Sequence, residues 1–331
     1  MKRRRLGLAL LAGGSASFVG CSYLAARALA KRLISAEGLG PANADVRRQD
    51  LLDALSRSGA SVSDFRHRGS AWNPVELAAI FVSAGGSEAP HRATVVFLHG
   101  KGGSDAEWRP DAIRALAAGY NVLIPSLRGH PPSGGSFVTY GFLEKDDLAE
   151  CVASARDRFG IDPDRLGVHA CSAGSTIALE FAARNPGVRA LWLESAYADG
   201  FRMARQYLSA ATGLPPWSLD LTTRLAVRIA LARIRRELGI PGRGGLDRVD
   251  PLRSAASLSG RVCLVYGERD RLVPPRFTAR LEEALPPDTL IWRARGAGHC
   301  HHDDEPEKVM PEEYDRRWRE FFGASLPAED R

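Results

Sequence analysis

The chain has 331 residues, of which 44% are apolar, enough to bury one large α/β core with additions. A net charge of +6 points at first to a polyanion partner, yet Lys2, Arg3, Arg4, Arg5, Arg27, Lys31 and Arg32 all fall within residues 1–32, where no acid occurs. Without those seven the chain sums to −1, which argues against a nucleic-acid face and assigns the basic excess to membrane targeting.

Between Arg5 and Arg27 run 21 uncharged residues, LGLALLAGGSASFVGCSYLAA, long enough to span a bilayer at about 1.5 Å per residue. A retained anchor with the body outside the cytoplasm is the reading adopted for residues 1–32. A cleaved secretory signal, a lipoprotein signal ending at FVGC with lipid on Cys21, and a cytosolic protein with an apolar terminal helix stay open. Residues 33–59 read as a helical lead-in.

From about residue 60, short β-branched runs alternate with helix-period stretches, the pattern of βα units on a mainly parallel sheet. The predicted strands are VELAAIFV from Val75, ATVVFLHG from Ala93, NVLIPSL from Asn121, RLGVHAC from Arg165, VRALWLES from Val188, RVCLVYG from Arg261 and TLIWRAR from Thr289. Helices are expected near 105–118, 143–159, 173–185, 275–285 and 311–322. Residues 196–258 break the rhythm and read as a helical lid inserted into a core of 60–195 and 259–324. Within it Val227, Leu231, Ile234 and Leu238 predict an apolar stripe. Arg224, Arg228 and Arg235 share another face, read as solvated, with anionic lipid as the alternative contact. Cys21, Cys151, Cys171, Cys263 and Cys300 form an odd set without paired spacing, which predicts buried, unpaired thiols.

In ACSAGST a serine, Ser172, stands between a predicted strand and a predicted helix. A nucleophile on so sharp a turn needs small residues two positions to either side, and Ala170 and Gly174 supply them, giving A-x-S-x-G in place of G-x-S-x-G. Centring the motif on Cys171 would put His169 where a small residue is required. A serine hydroxyl needs a general base, and the base needs an orienting acid, in the chain order acid then histidine. Asp270 follows a strand in YGERDRLVPP, with Glu268 as its rival. His299 follows the last strand in GAGHCHHDD, with His301 and His302 as rivals. Both lie at carboxyl ends of strands, where open α/β sheets gather their sites. The clustered histidines lack a helix-spaced carboxylate or cysteine partner, so no metal and no cofactor are expected. His130 reads as a loop residue lining the mouth. Backbone N–H groups of Ala173 and of Lys101, in the HGKGG loop, are the candidate oxyanion donors.

Taken together, FLHGKGG, LRGHPPSGG, ACSAGS, YGERDRLVP and GAGH make the chain resemble an α/β-hydrolase superfamily serine hydrolase over roughly residues 60–324. Membrane-anchored abhydrolase-domain proteins and prolyl-oligopeptidase-like catalytic domains are the nearest in appearance. The resemblance implies an eight-stranded sheet with one antiparallel strand, Ser172 as nucleophile, Asp270 as acid, His299 as base, and Lys101 with Ala173 as oxyanion donors. The expected activity is cleavage of an ester, thioester or small amide of a small, lipophilic acyl substrate. A serine peptidase, an acyltransferase and a non-catalytic binding protein of the same fold are the alternatives.

Overall fold

The computed structural model describes residues 22–85, 92–239 and 249–326. Cys21 and most of the expected membrane segment lie outside the described residues. Among the described residues no helix is long and apolar enough to cross a membrane.

In chain order the elements are α1 (22–34), α2 (Ala44–Arg57), β1 (Ser61–Arg68), β2 (Glu76–Ser83), β3 (Thr94–Leu98), a short 3₁₀ turn (Asp105–Trp108), α3 (Arg109–Ala117), β4 (Asn121–Pro125), α4 (Glu144–Phe159), β5 (Leu166–Cys171), α5 (Ala173–Ala182) and β6 (Val188–Glu194). There follow α6 (Gly200–Thr212), a second 3₁₀ turn (Pro216–Leu219), α7 (Asp220–Glu237), α8 (Pro251–Ala256), β7 (Arg261–Gly267), α9 (Pro275–Ala284), β8 (Leu290–Ala294), α10 (Pro306–Val309) and α11 (Pro311–Ser325). The described residues fall into two compact units, 22–35 with 199–239, and 36–85, 92–198 and 249–326.

The larger unit is built on one sheet of order β1-β2-β4-β3-β5-β6-β7-β8. Only β2 runs against the rest, pairing antiparallel with both β1 and β4, while β3 through β8 pair in parallel. Period-two alternation sends Val96, Leu98, Val168, Leu191 and Leu193 to one face, where α4, α5, α8 and α9 cover them. It sends Val95, Phe97 and Trp192 to the other face, beneath α2, α3 and α11. Burial on both faces is why these strands read as continuous apolar runs.

All seven predicted strands are present, and β1 is the addition. Its sequence, SVSDFRHR, buries only Phe65 and His67, because an edge strand with one open face carries polar residues at alternate positions.

In the smaller unit α1 buries Ala26, Leu29, Ala30 and Ile34 along one face. The buried face of α7 differs from the predicted stripe: Thr223, Ala226, Ala230 and Ile234 are buried, whereas Val227, Leu231 and Leu238 are only half-buried. Small side chains let neighbouring backbone come close, and reading hydrophobicity alone rotates the stripe by one position. Arg224 and Arg228 are exposed.

Candidate active site

Strand β5 ends at Cys171 and α5 begins at Ala173, which leaves Ser172 alone on the turn between them. Its φ of 51° and ψ of −116° are angles that a residue with a Cβ keeps only when its surroundings impose them. Here the Ser172 N–H donates to the Glu194 carbonyl of β6 at 2.8 Å, and the Ser175 hydroxyl donates to the same carbonyl at 3.1 Å. From the β3 side, Gly100 lies so near that a Cβ there would stand 3.3 Å from the Ser172 Cβ. Ala170, two residues before the serine, is fully buried in the sheet between Leu98 and Leu193, so its methyl group belongs to the core.

Gly174 has no such room. A Cβ at this position would lie 2.4 Å from the Leu98 carbonyl oxygen at the end of β3 and 2.8 Å from that of His99 just beyond it, both backbone atoms. Gly174→Ala is therefore expected to cost about 2–3 kcal/mol, because backbone must shift to admit the methyl group. Urea denaturation of wild type and variant measures this, and an unchanged midpoint would show that the turn has slack.

Asp270 lies three residues past β7 and is buried. Its Oδ1 accepts the N–H groups of Leu272 (2.9 Å) and Val273 (2.7 Å), and its Oδ2 accepts from His299 Nδ1 (2.7 Å) and the Ser195 hydroxyl (2.9 Å). Four donors hold the carboxylate still and leave its charge directed at one imidazole. The rival acid, Glu268, is exposed. Ser195 carries no sequence signal beyond its place after the carboxyl end of a strand. It sits at φ 47°, immediately after Glu194, so the end of β6 holds the Ser172 backbone with one residue and the Asp270 carboxylate with the next.

The cysteine expectation needs correction. Cys171 and Cys300, 129 residues apart, form a disulfide with Cα atoms 6.2 Å apart, while Cys151 and Cys263 are free and buried as expected. Disulfide pairing between distant residues leaves no local spacing signal. A loop of this length gives the bond about 5 kcal/mol of stabilisation in the chain-entropy account. Because Cys171 precedes Ser172 and Cys300 follows His299, the bond ties the backbone at the serine to the backbone at the histidine.

The three neighbouring histidines take separate roles. His299 meets Asp270, His302 is exposed, and His301 Nδ1 meets Glu107 Oε2 at 2.9 Å while its ring stands edge-on to Trp108. Burial opposes charge on both members of the His301–Glu107 pair. Their mutual attraction outweighs it, holding His301 above 6.5 and Glu107 below 4.5. The histidine part of this stability is complete below pH 6.5 and is lost as pH rises through the raised value. The glutamate part is present above pH 4.5 and is lost as pH falls through the depressed one. His301→Gln should thus cost most between these two values, about 1 kcal/mol, and less on either side. Urea midpoints at a series of pH values check this, and a penalty that does not vary with pH would remove the charge from the account.

The HGKGG loop after β3 is held by two buried histidines. His99 Nε2 accepts the Leu127 N–H at 3.1 Å and its Nδ1 donates to the Gly100 carbonyl at 2.8 Å; burial, with His130 nearby, drives its value down to about 3. His130, expected at the mouth, is buried and accepts the Gly102 N–H on Nε2 at 3.0 Å. Lys101 lies between these fixed points. Its side chain is half-buried with Nζ 5.9 Å from the Tyr140 ring centre, and burial lowers its value to about 8. A cavity of about 20 Å³, room for one water molecule, is lined by Lys101, Ala173, Leu127, Val138 and Ile177 among others. Ala173, as the first residue of α5, has an N–H without a partner from within its helix.

Residues 95–312 match a family described as Alpha/beta hydrolase family. Over 187 residues the chain is 26% identical to the uncharacterized protein YqkD of Bacillus subtilis (strain 168), covering 56% of this chain and 57% of that one. It therefore spans little more than half the length of this curated relative. The fold is similar to that of the Pyrococcus furiosus esterase Pf2001, with a TM-score of 0.63, 21% identity, and coverage of 87% of this chain and 97% of that one. It is also similar to a membrane phospholipase A described as a bacterial virulence factor, with a TM-score of 0.55, 19% identity, and coverage of 99% and 100%.

Proposed function

The chain belongs to the α/β-hydrolase family, and we propose that it is a hydrolase that cleaves a carboxylic ester by way of an acyl-enzyme on Ser172. The observation that carries this reading is the 2.7 Å contact between His299 Nδ1 and the four-fold bonded Asp270 carboxylate, on the sheet edge where Ser172 stands on its constrained turn. Occupation of Nδ1 leaves Nε2 to take the Ser172 proton as Oγ attacks the acyl carbonyl. The oxyanion is stabilised by the Ala173 N–H and by the Lys101 N–H of the braced loop. His299 then returns the proton to the departing alcohol, and water, activated by the same imidazole, releases the acid.

The apolar run in residues 1–32 supports a lipophilic ester and a membrane-tethered body. A disulfide in the folded core supports placement in an oxidising compartment, outside the cytoplasm. The test combines a fluorophosphonate probe, peptide mapping of the adduct, and hydrolysis of p-nitrophenyl esters from acetyl to palmitoyl. A single adduct on Ser172 with turnover of at least one ester is the expected result. An adduct elsewhere, or a folded protein that neither reacts with the probe nor cleaves any ester, would overturn the reading. Products formed with an added alcohol or amine separate hydrolysis from acyl transfer.

A further inference from the structure

We propose that the Cys171–Cys300 disulfide is a positioning element of the active site, so that the enzyme reaches full rate only while this bond is formed. The inference rests on the assignment of Ser172 and His299 made above.

Cys171 is the last residue of β5, deep in the sheet, whereas Cys300 lies in the turn-rich segment between β8 and α10. Among the described residues strand β8 is the sheet's edge and pairs only with β7, so the histidine segment leaves the least supported end of the core. Proton transfer requires His299 Nε2 to face Ser172, and the Asp270 contact fixes only the opposite side of the ring. Rotation about that contact is limited by the backbone that carries the ring. The disulfide clamps this backbone, one residue after His299, to the strand that ends one residue before Ser172. The Ser195 hydroxyl adds a weaker tie, accepting the Cys300 N–H at 3.3 Å while it donates to Asp270. Both sulfurs are buried, so the bond is reached only by a small reductant or through local opening. Cys151 and Cys263 are buried thiols whose values are pushed up by burial, which keeps them out of exchange at neutral pH.

The chemistry balances with two equivalents of a small thiol. The first thiolate attacks one sulfur, breaking the S–S bond and forming a mixed disulfide while the other sulfur leaves as thiolate. The second thiolate displaces the remaining protein sulfur, so that a small-molecule disulfide carries away the oxidation. Two protons end on Cys171 and Cys300.

The test uses the full chain in detergent, reduced with dithiothreitol without denaturant and kept folded as judged by circular dichroism. Alkylation and mass spectrometry establish which cysteines have opened. With Cys171 and Cys300 alkylatable, kcat for an ester substrate and the rate of fluorophosphonate labelling are expected to fall about 10- to 100-fold, with KM altered less than about twofold. Reoxidation should restore the rate. The Cys171→Ala/Cys300→Ala double variant should show the same loss and indifference to thiol. The Cys151→Ala/Cys263→Ala double variant should keep both full rate and full thiol sensitivity. An unchanged kcat in wild type with both disulfide cysteines opened would overturn the proposal, even if the double variant failed to fold. Mapping the adduct keeps the two assignments apart: a label on another residue removes the reading beneath, whereas a Ser172 label formed at the same rate before and after reduction removes only the role of the disulfide.

Discussion

Exchange of Ser172 for alanine is expected to lower kcat by about 10⁶-fold and to abolish fluorophosphonate labelling, with the fold retained. The neighbouring serine hydroxyls cannot take over. Ser175 is buried and its hydroxyl faces the Ala170 and Glu194 carbonyls, and the Ser195 hydroxyl is committed to Asp270. His299→Ala should cost about as much by itself as together with Ser172→Ala, because the proposed mechanism makes the hydroxyl and the imidazole one unit. Asp270→Asn should cost less, about 10⁴-fold, since it leaves the contact geometry but favours the wrong tautomer of His299. Active-site titration with single-turnover kinetics measures all of these. Retention by Ser172→Ala of more than about a hundredth of the rate would place the nucleophile elsewhere.

The parts of this molecule that could be read from sequence are those in which local chemistry repeats. Strands β2 to β7 are dense apolar runs because covering helices bury both faces of the sheet, whereas β1 carries a weaker signal because one of its faces is open. Ser172, Asp270 and His299 stand out because each follows a strand at the same edge, within turns rich in glycine or proline. Pairwise relations across the chain were not legible. Nothing near Cys171 announces Cys300, and the pairing of His301 with Glu107 joins residues 194 positions apart. The buried stripe of α7 departs from its apolar one because alanine and threonine make poor hydrophobic signals but good surfaces for close approach. The run GHCHH lacks metal-ligand spacing, but its sequence does not disclose that Asp270, Cys171 and Glu107 hold its successive members.

Glu194→Gln is the second large effect, and it falls on stability. The buried Glu194 Oε1 accepts the Trp192 indole N–H at 2.7 Å, His169 Nε2 at 3.1 Å and the Tyr314 hydroxyl. The Trp318 indole N–H donates to His169 Nδ1 at 3.3 Å, which leaves Nε2 as the ring's donor toward the carboxylate. Burial alone would raise the value of Glu194, but His169, Tyr314 and Trp192 together hold it at about 2. A folded value below the unfolded 4.5 gives stability that is present above pH 4.5 and is lost as pH falls toward 2, about 3 kcal/mol in all. Asp111, on α3 near the same histidine, has the opposite sign. Burial raises it to about 6 from 3.8, so the cost of its charge emerges as pH rises between those values. The glutamine variant keeps the shape and loses the charge that three donors converge on, so a loss of about 3 kcal/mol near neutral pH is expected, shrinking as wild type is acidified below 4.5. The consequence reaches the candidate active site, since the carbonyl of the same residue holds the Ser172 and Ser175 groups at the turn. Denaturant titrations at several pH values test the sign. A penalty that persists undiminished at pH 3 would mean that the carboxylate's charge contributes nothing and that packing carries the whole effect.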